Sequence, residues 1–192
     1  MANPEVVGLL CARSSFFESG SRRSFGVVLS RSELAGYLSG ASSAAMNFAL
    51  ASYALDEVAE RMLIAHVKVW SVGVANREGW QIVRGRPTIS NLSAIAVYDV
   101  IRPLVHVACQ GSGSIGAKVC PGCGGSGLKP LSGRKIAAAA GLELKDWQRH
   151  WVDRYRQILK YIIDLDGEVQ TILSVANKEV DTDSEKVYKT SY

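Results

Sequence analysis

His106, Cys109, Cys120 and Cys123 stand in two copies of one short pattern. From His106 the chain reads His-Val-Ala-Cys-Gln-Gly-Ser-Gly, and from Cys120 it reads Cys-Pro-Gly-Cys-Gly-Gly-Ser-Gly. Each copy is a ligand-type residue, two spacers, a cysteine, then x-Gly-x-Gly. Two residues between ligands let a tight turn aim both side chains at one ion, and the glycines permit positive φ so that backbone amides can face the thiolates. Two such knuckles complete a tetrahedron, so the expectation is one zinc ion on His106, Cys109, Cys120 and Cys123. With four protein ligands and no position left for water, the expected site is structural rather than catalytic. Taken singly, Cys109 reads as a small buried apolar residue, His106 as a helix-end histidine and the glycines as an ordinary loop. The argument for metal is the repetition of ligand and glycine spacing together. His106 replaces the first cysteine of the usual form, and His150 and Cys11 are alternative sources of the fourth bond.

A second set of residues suits nucleic acid. Between Lys129 and Lys160 there are eight basic residues (Lys129, Arg134, Lys135, Lys145, Arg149, Arg154, Arg156, Lys160) and three acidic ones (Glu143, Asp146, Asp153), so the segment alone carries the excess of the whole chain, which is +4. Within it, Ser132 to Trp147 fits a helix-turn-helix: an alanine early in the first helix, Gly141 at the turn and an apolar residue after it. Ile136, Ala137 and Ala140 would pack the first helix on the second, with Leu142, Trp147 and Trp151 completing a small core. Lys145, Gln148 and Arg149 then face outward, where arginine can read guanine, glutamine adenine, and lysine a base or phosphate. Arg134 and Lys135 sit where the first helix would touch the DNA backbone. The plainer reading is a solvated basic face on a helical hairpin. Agreement among turn, charge and the adjacent ligand set favours DNA. His150 departs from the template, because that position usually carries an aliphatic core residue.

The elements that must hold these residues read as mainly α. At 192 residues with 47% hydrophobic content the chain can bury a real core. Residues 1–40, rich in Ser, Gly and Arg, read as a flexible arm with a short helix beginning at Ser30, where Ser30 and Glu33 have capping-box spacing. Residues 41–105 form a helical core. From Ser42 to about Val74 Met46, Phe48, Ala49, Tyr53, Leu55, Val58, Met62, Leu63, His66, Val67 and Trp70 recur at threes and fours as a core helix broken once. A second helix, capped by Thr88, turns Leu92, Ile95, Val97, Val100, Ile101 and Leu104 inward. Trp80–Arg84 has strand character, but a single strand makes no sheet. Residues 106–130 are the zinc loop. Residues 131–180 hold the helix-turn-helix and a long helix whose Trp151, Tyr155, Ile158, Ile162, Leu165, Val169, Ile172 and Ala176 make a heptad seam, expected to pack within the chain. Residues 181–192 are a polar tail.

The order of parts, a helical N-terminal half, two knuckles and a basic helix pair with a tryptophan, resembles the lambda-type Q antitermination proteins of temperate bacteriophages. The matching stretch runs from His106 to about Lys178: Cys109-Gln-Gly-Ser-Gly and Cys120-Pro-Gly-Cys-Gly-Gly-Ser-Gly look like the family's zinc knuckles, and Trp147 like the tryptophan of its DNA-binding helix. Two departures are His106 in place of a cysteine and the short insert of ten residues between Cys109 and Cys120. The resemblance implies binding to double-stranded DNA at a phage late promoter and loading onto bacterial RNA polymerase paused with its sigma factor. The protein would then travel with the polymerase and suppress pausing and termination.

Other classes are weighed on the same residues. CxxCxGxG repeats also occur in Hsp40 co-chaperones, but in four copies, and this chain has two and no His-Pro-Asp tripeptide. A zinc-stabilised regulator that stays at its promoter is a second alternative, distinguished by whether the protein leaves with the polymerase. No catalytic set is legible, and His66 lies on an apolar helix face, where packing is commoner than base chemistry; an enzyme with a small-molecule substrate is therefore not expected. The N-terminus lacks a signal-peptide pattern and no apolar run reaches the ~20 residues of a membrane span. The expected location is the cytoplasm of a bacterial host, where four reduced cysteines suit metal better than disulfides.

Overall fold

The computed structural model describes residues 31–81, 88–129 and 131–189. In chain order these form α1 (Arg31–Tyr37), α2 (Ser43–Tyr53), α3 (Glu57–Glu78), α4 (Thr88–Ile101), a 3-10 turn (Val107–Cys109), β1 (Ser114–Ile115), β2 (Lys118–Val119), α5 (Gly133–Ala139), α6 (Leu144–Asp146), a π turn (Trp147–Trp151) and α7 (Val152–Lys189). The fold is mainly α, as its periodicity predicts. Its only sheet among the described residues is the antiparallel ribbon that pairs Ser114 with Val119 and Ile115 with Lys118.

Local chemistry sets the helix boundaries. Ser42 caps α2 by accepting from the Ala45 amide, and Glu168 of α7 accepts from both the Ser42 amide (2.6 Å) and its hydroxyl (3.0 Å). The one break in the first apolar run falls at Ala54–Asp56. There the extended Asp56 turns its carboxylate onto the Val58 and Ala59 amides, at 2.8 and 3.0 Å, and starts a new helix. Gly79, at φ 64°, ends α3 in the left-handed region that glycine adopts without steric cost. Thr88 is the first residue of α4 rather than a cap outside it. Ser30, and residues 82–84 of the strand-like stretch, lie outside the described residues; Trp80 and Gln81 are not in a strand.

Several positions expected in the core face solvent instead. On α3 the buried line is Ala59, Leu63, Val67, Ser71 and Val74, which rotates Val58 (51% exposed) and Met62 (55%) outward. Leu104 is 58% exposed because the chain leaves α4 at Arg102–Pro103, before the next inward position. His66 is packed, as its apolar face suggests: its Nε2 lies 3.0 Å from the Tyr161 hydroxyl, and Trp70 stacks on the same tyrosine at 4.2 Å.

One hydrophobic cluster joins the N-terminal helices to the last one, so residues 41–105 and 131–180 share a core rather than forming two. The end of α1 meets it too, since Tyr37 packs against the cluster and Leu38, just after the helix, is fully buried. The seam of α7 runs Tyr155, Ile158, Ile162, Leu165, Val169 and then Leu173, with Ile172 only partly buried in its stead. A straight helix drifts ~20° per heptad against a strict seven-residue repeat, and the step of four at Leu173 follows that drift. The helix packs along its own neighbours, as expected for a seam within one chain. Tyr53 and Gln170 add polar ties across it, the Tyr53 hydroxyl donating to Asp166 at 2.8 Å and accepting from Gln170 at 2.7 Å.

The π turn has a packing cause. Eight residues of plain α-helix would leave Trp147 ~80° from Tyr155 around the axis, and the wider turn takes up most of that offset. Trp147 is buried and meets Tyr155 edge to face at 5.5 Å. Its indole edge also rests on the start of α5: a Cβ at Gly133 would lie 2.6 Å from Trp147 Nε1. Gly133→Ala is therefore expected to push the indole from its seat and cost about 1–3 kcal/mol. A thermal melt with Trp fluorescence as the second readout checks this; an unchanged melting temperature would mean that the indole yields freely.

Candidate metal centre

The two knuckles repeat in backbone as they do in sequence. Positive φ occurs at Gln110 (49°), Gly111 (82°) and Gly113 (75°) in the first, and at Gly124 (59°), Gly125 (93°) and Gly127 (70°) in the second. Glutamine thus holds a left-handed position that the other copy gives to glycine. The copies lock reciprocally: the His106 amide donates to the Gly127 carbonyl (2.8 Å), and the Cys120 amide donates to the Gly113 carbonyl (2.9 Å). Each first ligand is therefore pinned by the last glycine of the other copy, a local two-fold arrangement.

The four side chains converge. Their candidate ligand atoms all lie within 4.8 Å of one another. His106 Nδ1 is 3.5 Å from both Cys109 Sγ and Cys120 Sγ, and Cys109 Sγ is 3.7 Å from Cys123 Sγ. A tetrahedron built on metal–sulfur bonds of ~2.3 Å has edges of ~3.8 Å, so the donor spacing fits one metal ion. Nδ1 is the histidine atom that faces the thiols. The other edge of the ring lies over Gly122, where a Cβ would come within 2.7 Å of Cε1 and Nε2. Gly122 is thus the space that lets an imidazole stand where the usual knuckle has a smaller thiol.

Electrostatics separates the two cysteines of the second knuckle. Burial pushes the Cys120 thiol up, against amides of Gly122 and Cys123 that pull it down. Burial also raises the Cys123 thiol, but the amides of Gly127 and Gly125, together with Cys120 and Cys109, outweigh it and leave the group below its ordinary value. N–H groups aimed at sulfur favour the thiolate, which is the ligating form.

Sequence reasoning missed two serines. Ser112 and Ser126 occupy the same place in each copy; their hydroxyls donate to the Cys109 and Cys123 carbonyls (2.7 and 2.8 Å) and accept from the Ser114 and Leu128 amides (3.3 Å each). They hold the turn that follows each cysteine. The signal was present, because Gly-Ser-Gly closes both copies. The alternative fourth donor His150 stands exposed in the π turn, outside the group that assembles, and Cys11 lies outside the described residues.

The other expected residues lie on α5 and on the segment that follows its turn. Gly141 makes that turn at φ 70°, Ile136, Ala137, Ala140, Trp147 and Trp151 are buried, and Leu142 is partly so. Arg134, Lys135, Lys145, Gln148 and Arg149 are all exposed, and none of the ion pairs among the described residues engages them. The basic count overstates the free charge, however. The Arg154 guanidinium lies over the faces of Trp151 (4.8 Å) and Trp80 (5.5 Å), which meet each other edge to face, while Arg156 pairs with Asp153 and Lys160 with Asp164. Among the described residues no helix is long and apolar enough to cross a membrane.

No protein-family model matches the chain, and searches of curated proteins and of solved structures return no match.

Proposed function

We propose that the chain is a zinc-stabilised DNA-binding protein acting in transcription, with one structural zinc ion on His106, Cys109, Cys120 and Cys123 and a duplex-binding face made by Arg134, Lys135, Lys145, Gln148 and Arg149. Three thiolates and one imidazole are a donor set that suits zinc. What carries the reading is the convergence of those four donors at tetrahedral spacing beside a helix pair whose cations are exposed and uncommitted. Zinc when bound would clamp the two knuckles together. The residues after Lys129 then leave the clamp and enter α5, so the clamp sets where the first basic helix begins.

The finer reading, antitermination, rests on the resemblance of the ordered parts to the Q proteins: binding near a promoter, loading onto bacterial RNA polymerase held with its sigma factor, and suppression of pausing and termination. Two measurements test the levels separately. Duplex binding at two salt concentrations should be salt-sensitive, and replacing Lys145 and Arg149 together by alanine should weaken it ~10-fold or more with a shallower salt slope. Affinity unaffected by these changes would sink the DNA face. Transcription through a terminator with purified polymerase then tests the finer step: a protein that binds promoter DNA but is absent from the elongating complex is a promoter-bound regulator.

A further inference from the structure

The helix α3 carries a second face that the core does not use. Val58, Met62, Ala65, Val69 and Val72 are all exposed, with Val69 at 72%, and they recur at four, three, four, three along one side. Leu55 continues the line before the helix. It is 61% exposed and sits at φ 54°, in the left-handed region where a side chain is strained and glycine is not. No hydrophobic staple explains it, because the residue it would meet in the first turn is Glu60, which pairs with Arg102. Stability alone would favour a polar or glycine residue there, and polar residues along the rest of the line.

We infer that this stripe is a docking seam for an amphipathic helix of another protein whose apolar face is edged with acidic residues. The two-per-heptad width is that of a helix–helix seam, narrower than the apolar face a helix needs to lie in a bilayer surface. Charge selects the partner. At ~100° per residue, Arg61 and Lys68 fall along one edge and Arg77 along the other; all three are exposed, and none of the ion pairs among the described residues engages them. Glu57, the acid nearest the stripe, stands in the first turn, where it serves the helix N-terminus. A second copy of this chain fits poorly. Antiparallel pairing about Ala65 would oppose Val58 to Val72 and Met62 to Val69 well enough, but it would also set Arg61 against Lys68 of the other copy, and like charges at such flanks repel.

The test uses the full chain and two synthetic helical peptides with leucine at the seam positions, one edged with glutamate and one with lysine. The glutamate peptide should bind, more weakly as salt rises, and Val69→Asp should reduce its affinity tenfold or more while leaving the melting temperature of the free protein unchanged. Arg61→Glu with Lys68→Glu should shift preference to the lysine peptide. Four outcomes overturn the proposal: equal or absent binding of both peptides; a concentration-dependent dimer abolished by Val69→Asp; binding to phosphatidylglycerol vesicles through the same residues; or unfolding of the Val69→Asp variant, which would make the stripe part of the core. None of these readouts depends on DNA or metal binding.

Discussion

Cys120→Ser should abolish stoichiometric metal binding and unfold residues 104–129 while leaving the helical core standing. Cys120 is 1% exposed and is linked by its amide to the first knuckle, so a serine there removes a thiolate from the middle of the clamp. Structural zinc sites contribute roughly 10 kcal/mol or more of apparent binding free energy at neutral pH, far more than the short ribbon and turns can supply alone. The loss is expected to stay local, because none of the described residues between Ile101 and Leu131 belongs to the hydrophobic cluster of the helices. Metal content per chain, far-UV circular dichroism and amide exchange read the three parts of this expectation. Exchange protection should vanish in the knuckles and survive in α3, α4 and α7, and chelation of the wild-type protein should reproduce the pattern. Retention of one metal per chain by the variant would end the four-ligand assignment; collapse of the whole helical signal would show that the clamp also supports the core.

Gly122→Ala should lower metal affinity about 10- to 100-fold, an effect of the size usual for a group that orients a ligand, although Gly122 donates no side-chain atom. Its backbone is not in the left-handed region, so alanine meets no conformational penalty there. The penalty is steric: the new methyl would approach within 2.7 Å of His106 Cε1 and Nε2. An imidazole held by its Nδ1 cannot bend away as a long aliphatic chain could. In a His106→Cys background the ring is gone, and the same alanine should cost little. A double-mutant cycle on metal affinity measures that coupling directly. Equal losses in both backgrounds would mean that the glycine matters for the turn and not for the ring.

The sequence by itself determined the knuckles, because both ligand spacing and positive-φ demand are local: a CxxC turn and its glycines are specified within eight residues. It likewise determined that the chain is helical and that α7 would bury one seam, since periodicity is written in consecutive residues. It placed Gly141 at a turn and Arg134, Lys135, Lys145, Gln148 and Arg149 on the outside, as the structure has them. What it could not decide was which of two apolar lines on α3 would face inward. Both the Leu63–Val67–Val74 line and the Val58–Met62–Val69 line satisfy helical spacing, and only the positions of α2 and α4 against the helix choose the first. Tertiary contacts also decided the π turn, which brings Trp147 edge to face with Tyr155, and the withdrawal of Arg154 from the basic face onto the Trp80–Trp151 pair. Trp80 and Trp151 are seventy-one positions apart, and no local pattern announces that they will meet. Which histidine joins the cysteines is decided the same way: His106 and His150 are equal candidates by residue type, but among the described residues only His106 is carried to the cysteines, with its amide held by Gly127 at the far end of the other knuckle.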